Sequence, residues 1–134
     1  MIIGNRSTKD RVYIIAEIGN NHEGDFGLAK EMIHQAKETG VDAVKFQTFI
    51  TEQYVGKDDT KRFKRLESFE LGQGQFSDLS TIAKNLNIGF ISTPFDIESA
   101  KFLSSIVDAL KISSGDNKFY PMLEVIAKLG KPII

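Results

Sequence analysis

The sequence predicts an α/β chain of the (β/α)8 barrel type, of which it supplies about the first half: five parallel strands and four helices. Three observations carry this. Short β-branched or aromatic runs alternate with helical-period stretches along 134 residues, and strands joined through helices lie parallel, with right-handed crossovers. Four successive runs give out into polar clusters: EIGNNHEG at Glu17 to Gly24, KFQT at Lys45 to Thr48, STPFD at Ser92 to Asp96 and KISSGDN at Lys111 to Asn117. A doubly wound sheet gathers its ligand at one switch point, whereas reactive groups after every strand favour a barrel, whose strand ends share one rim. Finally, the sequence stops inside a fifth strand pattern, Lys131 to Ile134, while a whole barrel needs roughly 250 residues.

The elements follow in order. Met1 to Ile3 and the Gly4-Asn5 turn signal fit a small hairpin plugging the barrel floor. Val12 to Ile15 reads as the first strand. Asp25 to Thr39 then places Leu28, Ala29, Met32, Ile33 and Ala36 at helical spacing, closed by Gly40. Ala43 to Phe49 is the second strand. Ser77 is expected to cap a helix carrying Leu79, Ile82, Ala83 and Leu86, ahead of the strand Gly89 to Ile91. Asp96 caps the next helix, with Ile97, Ala100, Leu103 and Ile106 inward, leading to the strand Ala109 to Ile112. In the fourth unit Pro121 suits a first turn, Leu123, Ile126 and Ala127 form the apolar stripe, and Gly130 ends the helix. Thr51 to Gly74 is too long for an ordinary connection and rich in charge. It reads either as a lid or as a solvated insertion with a short helix around Thr60 to Phe69.

Composition narrows the function. With 17 Lys+Arg against 18 Asp+Glu and no long run of either sign, neither a nucleic-acid face nor a polybasic membrane patch is expected. No cysteine occurs, which excludes disulfides and thiolate metal sites. No apolar stretch approaches 18 residues and the N-terminus lacks a signal-peptide pattern, so the expected location is the cytoplasm.

The clusters nominate residues. Glu17 is a carboxylate at the rim, costly there unless paired or used. Lys45 and Lys111 each sit between apolar strand neighbours, and two such lysines suit a phosphate or carboxylate better than a core. Ser113, Ser114 and Gly115 read equally as a plain turn or as an anion cradle. His22 is read as a loop hydrogen-bonder rather than a metal ligand, since a zinc or manganese site needs three or four ligands. His34, on a helix surface stripe, is expected to be inert.

Taken together, Ile15 to Gly24, Asp42 to Thr48, Phe90 to Phe95 and Lys111 to Gly115 resemble, in order and spacing, the sialic acid synthase family, matching the N-terminal part of that family's barrel. The resemblance implies condensation of phosphoenolpyruvate with an N-acetylated hexosamine such as N-acetylmannosamine, giving a nine-carbon 2-keto sugar acid and phosphate, assisted by a divalent metal, manganese or magnesium. It places Lys45, Thr93, Lys111 and Ser114 around the phosphate and carboxylate of phosphoenolpyruvate, Glu17 beside the reacting carbons, and Gln47 and Phe95 on the sugar side. Where the family often has Gly-Ser-Gly-Glu, this chain has Ser113-Ser114-Gly115-Asp116, a carboxylate one methylene shorter, and Asp116 joins Glu17 as a catalytic candidate.

The same resemblance places the family's two metal-binding histidines on later strands, beyond Ile134, together with an antifreeze-like domain that reaches across a homodimer. Residues 1–134 alone are then expected to be inactive and, with an unpaired edge strand, prone to association. Two other readings stay open on the same residues: a Schiff-base aldolase using Lys45 or Lys111, and a phosphoenolpyruvate-binding or assembly module without turnover.

Overall fold

The computed structural model describes residues 1–9 and 11–134. The elements run β1 (Ile2–Ile3), β2 (Arg6–Ser7), β3 (Ile15–Gly19), α1 (Phe26–Glu38), β4 (Ala43–Thr48), α2 (Thr51–Tyr54), α3 (Thr60–Phe69), α4 (Gln73–Asn85), β5 (Gly89–Pro94), α5 (Ile97–Leu103), β6 (Ala109–Leu110), a 3-10 turn (Ser114–Asp116) and α6 (Tyr120–Lys128). Strands β3, β4, β5 and β6 pair in that order, all parallel. At the far edge the Lys131–Ile134 segment is a single parallel bridge, Leu110 to Ile133, with Leu110 donating to the Pro132 carbonyl at 2.9 Å and Ile134 donating back to Leu110 at 3.0 Å. This is the curved first half of a (β/α)8 barrel.

Strand alternation divides the sheet into two faces. Ile18, Val44, Phe46, Phe90 and Leu110 point outward into the main core, beneath Ala29 and Ile33 of α1, Phe76, Leu79 and Ala83 of α4, Ala100 and Leu103 of α5, and Met122 and Ile126 of α6. The opposite face starts at the floor with Ala43, Ile91 and Ala109, which pack with Ile3, Tyr13 and Ile15. Ile3 arrives on the β1–β2 hairpin, so the hairpin does close the floor.

Several helix ends follow the sequence. Asp25 accepts from Leu28 N–H at 2.9 Å to cap α1, Gly40 follows it at φ +79°, and Asp96 accepts from Ser99 N–H at 2.7 Å to cap α5. Other expectations need correction. The first strand is Ile15–Gly19 rather than Val12 to Ile15, because Val12 is 80% exposed and pairing with β4 begins at Ile15 opposite Ala43. Glu17 therefore lies within the strand, not after it. Helix α4 begins at Gln73, where Gln75 Oε1 accepts from Gly72 N–H at 2.8 Å. Ser77 lies inside the helix and donates to the Gln73 carbonyl at 3.0 Å. Leu28 is exposed, and the buried stripe of α6 is Met122 and Ile126, with Leu123 half-buried and Ala127 exposed. Thr51 to Gly74 folds into α2, α3 and the start of α4, and its 60–69 helix falls as expected.

Asp42 ties the floor together. Its buried carboxylate accepts from Ile14 N–H at 2.8 Å and pairs with both Arg6 and Arg11. The Ile14 bond, reinforced by Arg6 and Arg11 against the opposing effect of burial, holds its pKa below the usual carboxylate value. A depressed folded-state pKa means stability that is present above the unfolded value near 4 and is lost as the pH falls through the folded one. We therefore expect Asp42→Ala to cost about 1–3 kcal/mol at pH 7, measured by urea unfolding, with the difference from wild type narrowing as the pH falls below about 4.

Candidate active site

The inner face changes character one layer above the floor. Parallel register sets Glu17 opposite Lys45 and Lys45 opposite Ile91, and the next inward pair is Gln47 with Thr93. Lys111 N–H donates to the Ser92 carbonyl at 3.1 Å, which carries the same register into the segment after β6. Five of the expected site residues, Glu17, Lys45, Gln47, Thr93 and Lys111, thus come from three neighbouring strands and the segment that follows the fourth, at one end of the sheet.

Lys45 is the centre of this layer. Its ammonium pairs with the Glu17 carboxylate and donates to Thr93 Oγ1 at 3.3 Å, and its side chain is only 13% exposed against 50% for Glu17. A largely desolvated cation that keeps one exposed counter-ion is ready to exchange it for a stronger anion. Register slips at β3 between Glu17 and Gly19, and Gly19 takes φ +57°. A Cβ there would lie 3.1 Å from Glu17 Oε1 and 3.5 Å from Gln47 Nε2, so the glycine leaves both side chains their place.

Lys111 instead donates to the carbonyl of Ile112. Ser113 accepts from Gly115 N–H at 3.2 Å and opens the 3-10 turn that holds Ser114, which is exposed, and Asp116. No hydrogen bond or ion pair among the described residues joins Ser114 or Asp116 to Lys45 or Glu17; chain order alone brings them to the same rim. Phe95 is not on the strand face. Its N–H donates to the Thr48 carbonyl at 3.0 Å, and its ring lies 4.5 Å from that of Tyr54, which also meets Phe49 at 5.6 Å. The aromatic chain anchors α2 and α3 over the rim, helped by Glu70, whose carboxylate accepts from Thr51 N–H at 2.7 Å and Thr51 Oγ1 at 2.6 Å.

The β3–α1 loop supports the other side. Among the described residues, two buried side-chain atoms lack a hydrogen-bond partner, Asn20 Oδ1 and His22 Nε2, and both lie in this loop. His22 accepts from Gly24 N–H through Nδ1 at 3.1 Å and lies 6.0 Å from the Phe46 ring, which assigns the ring proton to Nε2. It braces the loop as expected, and His34 is exposed. The rim residues that sequence reasoning passed over are Asn20, Tyr54, Arg62 and Arg65. The i, i+3 repeat of Arg62 and Arg65 was the available signal.

With this geometry in place, residues 32–134 match the family model described as the NeuB family. The chain belongs to the NeuB family. It is 44% identical over 123 residues to an uncharacterized protein of Methanocaldococcus jannaschii, covering 91% of this chain and 36% of that protein. It is 39% identical over 143 residues to the N,N'-diacetyllegionaminic acid synthase of Legionella pneumophila, covering 96% of this chain and 40% of that enzyme. A crystal structure of N-acetylneuraminic acid synthetase from Leptospira borgpetersenii, in complex with citrate, superposes with a TM-score of 0.88 at 35% identity, over 92% of this chain and 44% of that one. The chain thus spans less than half the length of these relatives. No helix among the described residues is long and apolar enough to cross a membrane.

Burial pushes the His22 pKa below that of a free imidazole, with Asp25 pulling weakly the other way. The unfolded chain then takes up a proton near pH 6.5 that the folded chain refuses, so stability falls as the pH drops from about 6.5, by at most about 1.4 kcal/mol per pH unit. Urea midpoints between pH 7.5 and 5.5 should show this slope in the wild type and lose it in His22→Asn.

Proposed function

We propose that this chain is the phosphoenolpyruvate-binding part of a NeuB-family synthase that joins phosphoenolpyruvate to an N-acetylated hexosamine, forming a nine-carbon 2-keto sugar acid and phosphate. The observation that carries it is the Glu17–Lys45–Thr93 constellation, with Lys111 one strand on, on the inner face of a half barrel. Phosphoenolpyruvate carries a carboxylate and, on the adjacent carbon, a phosphate, and two lysines from non-adjacent strands can hold both while leaving the enol carbon free. Lys45 and Thr93 take one anion and Lys111, with Ser114 on the following turn, the other. Gln47 stands beside Gly19 on the side left for the sugar.

The enol carbon of phosphoenolpyruvate attacks the open-chain aldehyde carbon of the sugar, whose oxygen takes up a proton. Water adds to the cationic C2, a proton leaves, and phosphate departs with its C–O bond broken, leaving the 2-keto acid. Holding both anions fixes the enol face toward the aldehyde, where orientation supplies much of the rate. When the anion takes over Lys45, Glu17 loses its ion-pair partner and becomes a carboxylate free to move protons on the aldehyde oxygen or the attacking water. Asp116, on the turn beyond Lys111, is a second proton-transfer group in this reading.

Among the described residues no three His, Asp or Glu side chains converge to hold a metal ion, so no step is routed through one. A divalent ion, manganese or magnesium, would take its ligands from later strands, and the whole enzyme would be a homodimer completed by the rest of the barrel and a further domain. The reading rests on the family and on the lysine face; the identity of the hexosamine does not enter it.

Two measurements on the full-length protein test this. Lys45→Ala should lower the rate of phosphoenolpyruvate consumption by at least about 100-fold, as loss of a charged anion holder commonly does. Borohydride treatment in the presence of pyruvate should leave the mass of the wild-type protein unchanged. A trapped lysine adduct would replace the synthase reading by a Schiff-base aldolase.

A further inference from the structure

The β3–α1 loop and helix α3 meet at Gly24, and the loop is firmly held there. Gly24 stands at φ +83°, after Glu23 at φ +49°. A Cβ on Gly24 would run into the Ser68 carbonyl oxygen and lie 3.4 Å from the Phe69 Cα, so glycine alone suits both the backbone conformation and the approach of α3. The loop is pinned on each side of this point. His22, only 1% exposed and 6.0 Å from the Phe46 ring, accepts from Gly24 N–H through Nδ1 at 3.1 Å. Its carbonyl accepts from Asp25 N–H at 2.8 Å, the Asn20 carbonyl accepts from Glu23 N–H at 3.0 Å, and Asp25 goes on to cap α1.

Helix α3 is the softer partner. None of its residues is fully buried, its apolar face of Phe63, Leu66 and Phe69 is half-buried, and Arg62 leans on Tyr54 at 5.4 Å from the ring centroid. An obstruction at Gly24 is therefore relieved by moving α3 outward, not by moving the loop. That displacement reaches the rim, because α3 and Asn20 enclose a cavity of about 370 Å³ with Arg62, Arg65 and Leu66 on the helix wall. Asn20 follows Gly19 directly, and a Cβ on Gly19 would lie 3.5 Å from Gln47 Nε2, so the cavity adjoins the side left for the sugar. By contrast, among the described residues no side-chain hydrogen bond or ion pair joins Lys45, Thr93 or Lys111 to α3.

Resting on the synthase reading above, we propose that Gly24 is a positioning residue for the sugar acceptor. By lacking a side chain it lets the Ser68 end of α3 close onto the β3–α1 loop, and so sets how far the helix comes down over the sugar. It acts through α3, touches no substrate and leaves the hold on phosphoenolpyruvate unchanged.

The test compares the full-length wild-type protein with Gly24→Ala and Gly24→Asn. Both variants carry the obstructing Cβ, but asparagine tolerates a positive φ and so separates the blocked approach from backbone strain. Phosphoenolpyruvate consumption is followed with the N-acetylated hexosamine that wild type uses fastest, N-acetylmannosamine being the first tried. In both variants KM for the sugar should rise at least about tenfold while KM for phosphoenolpyruvate stays within about twofold, since a displacement of about 1 Å is felt where the substrate is positioned. Hydrogen exchange should quicken in residues 60–69 and stay unchanged in β4 and β5. A merely structural role would instead lower the active fraction, reducing apparent kcat with both KM values unaltered. That pattern, equal rises in the two KM values, unaltered exchange in α3, or failure of both variants to fold would overturn the inference and leave the synthase reading standing. Absence of phosphoenolpyruvate consumption by wild type with any N-acetylated hexosamine would overturn the synthase reading, while the exchange comparison would still report whether Gly24 seats α3.

Discussion

The pairing of Lys45 with Glu17 is the interaction on which the rest of this molecule's chemistry depends. A lysine in the middle of a central strand, flanked by Val44 and Phe46 that face a closed core, has only one direction available, inward. There it is largely desolvated, a state tolerated because β3 delivers a carboxylate and β5 a hydroxyl at the same level. Parallel register does this work. One residue of slip in β3 or β5 would send Glu17 or Thr93 into the helical layer and leave the ammonium alone. The floor below serves the same end, since Asp42 with Arg6, Arg11 and Ile14 fixes the entry to β3 and Ile3 seals the layer under Ile91 and Ala109.

Above that layer, the loops divide the rim by charge and by origin. The end of β5 and the segment after β6 carry hydroxyls and a second lysine, while the β3–α1 loop and the α2–α3 segment carry amide, aromatic and guanidinium groups. The aromatic chain Phe49, Tyr54, Phe95 joins these halves and extends to Arg62. A helix whose apolar face, Phe63, Leu66 and Phe69, is only half-buried, seated by stacked rings and by the Glu70 bonds to Thr51, is suited to covering a substrate rather than to supporting the core.

Much of this was legible in the sequence, for reasons that differ residue by residue. The alternation of strand and helix, the Gly40 end of α1 and the Asp96 cap rest on local rules, and those held. Glu17 was read as following its strand because VYII is the stronger β pattern; pairing with β4, a tertiary constraint, moved the strand three residues on and left Val12 in solvent. The α4 cap failed for a related reason. Ser77 is a good cap in isolation, but Gln73 to Phe76 already turn, which puts Phe76 into the core against Phe46. What no local rule shows is that Arg62 and Arg65, distant in sequence from Asn20, share a cavity with it.

In this reading Glu17 and the substrate anion compete for one ammonium. Calorimetric titration of the full-length protein with phosphoenolpyruvate, comparing wild type with Glu17→Gln, tests it most directly. With the internal carboxylate removed, affinity should be retained or rise by up to about fivefold, an exposed counter-ion being worth at most about 1 kcal/mol, even though turnover is lost. A Glu17→Gln protein that binds phosphoenolpyruvate markedly more weakly than wild type would contradict the account.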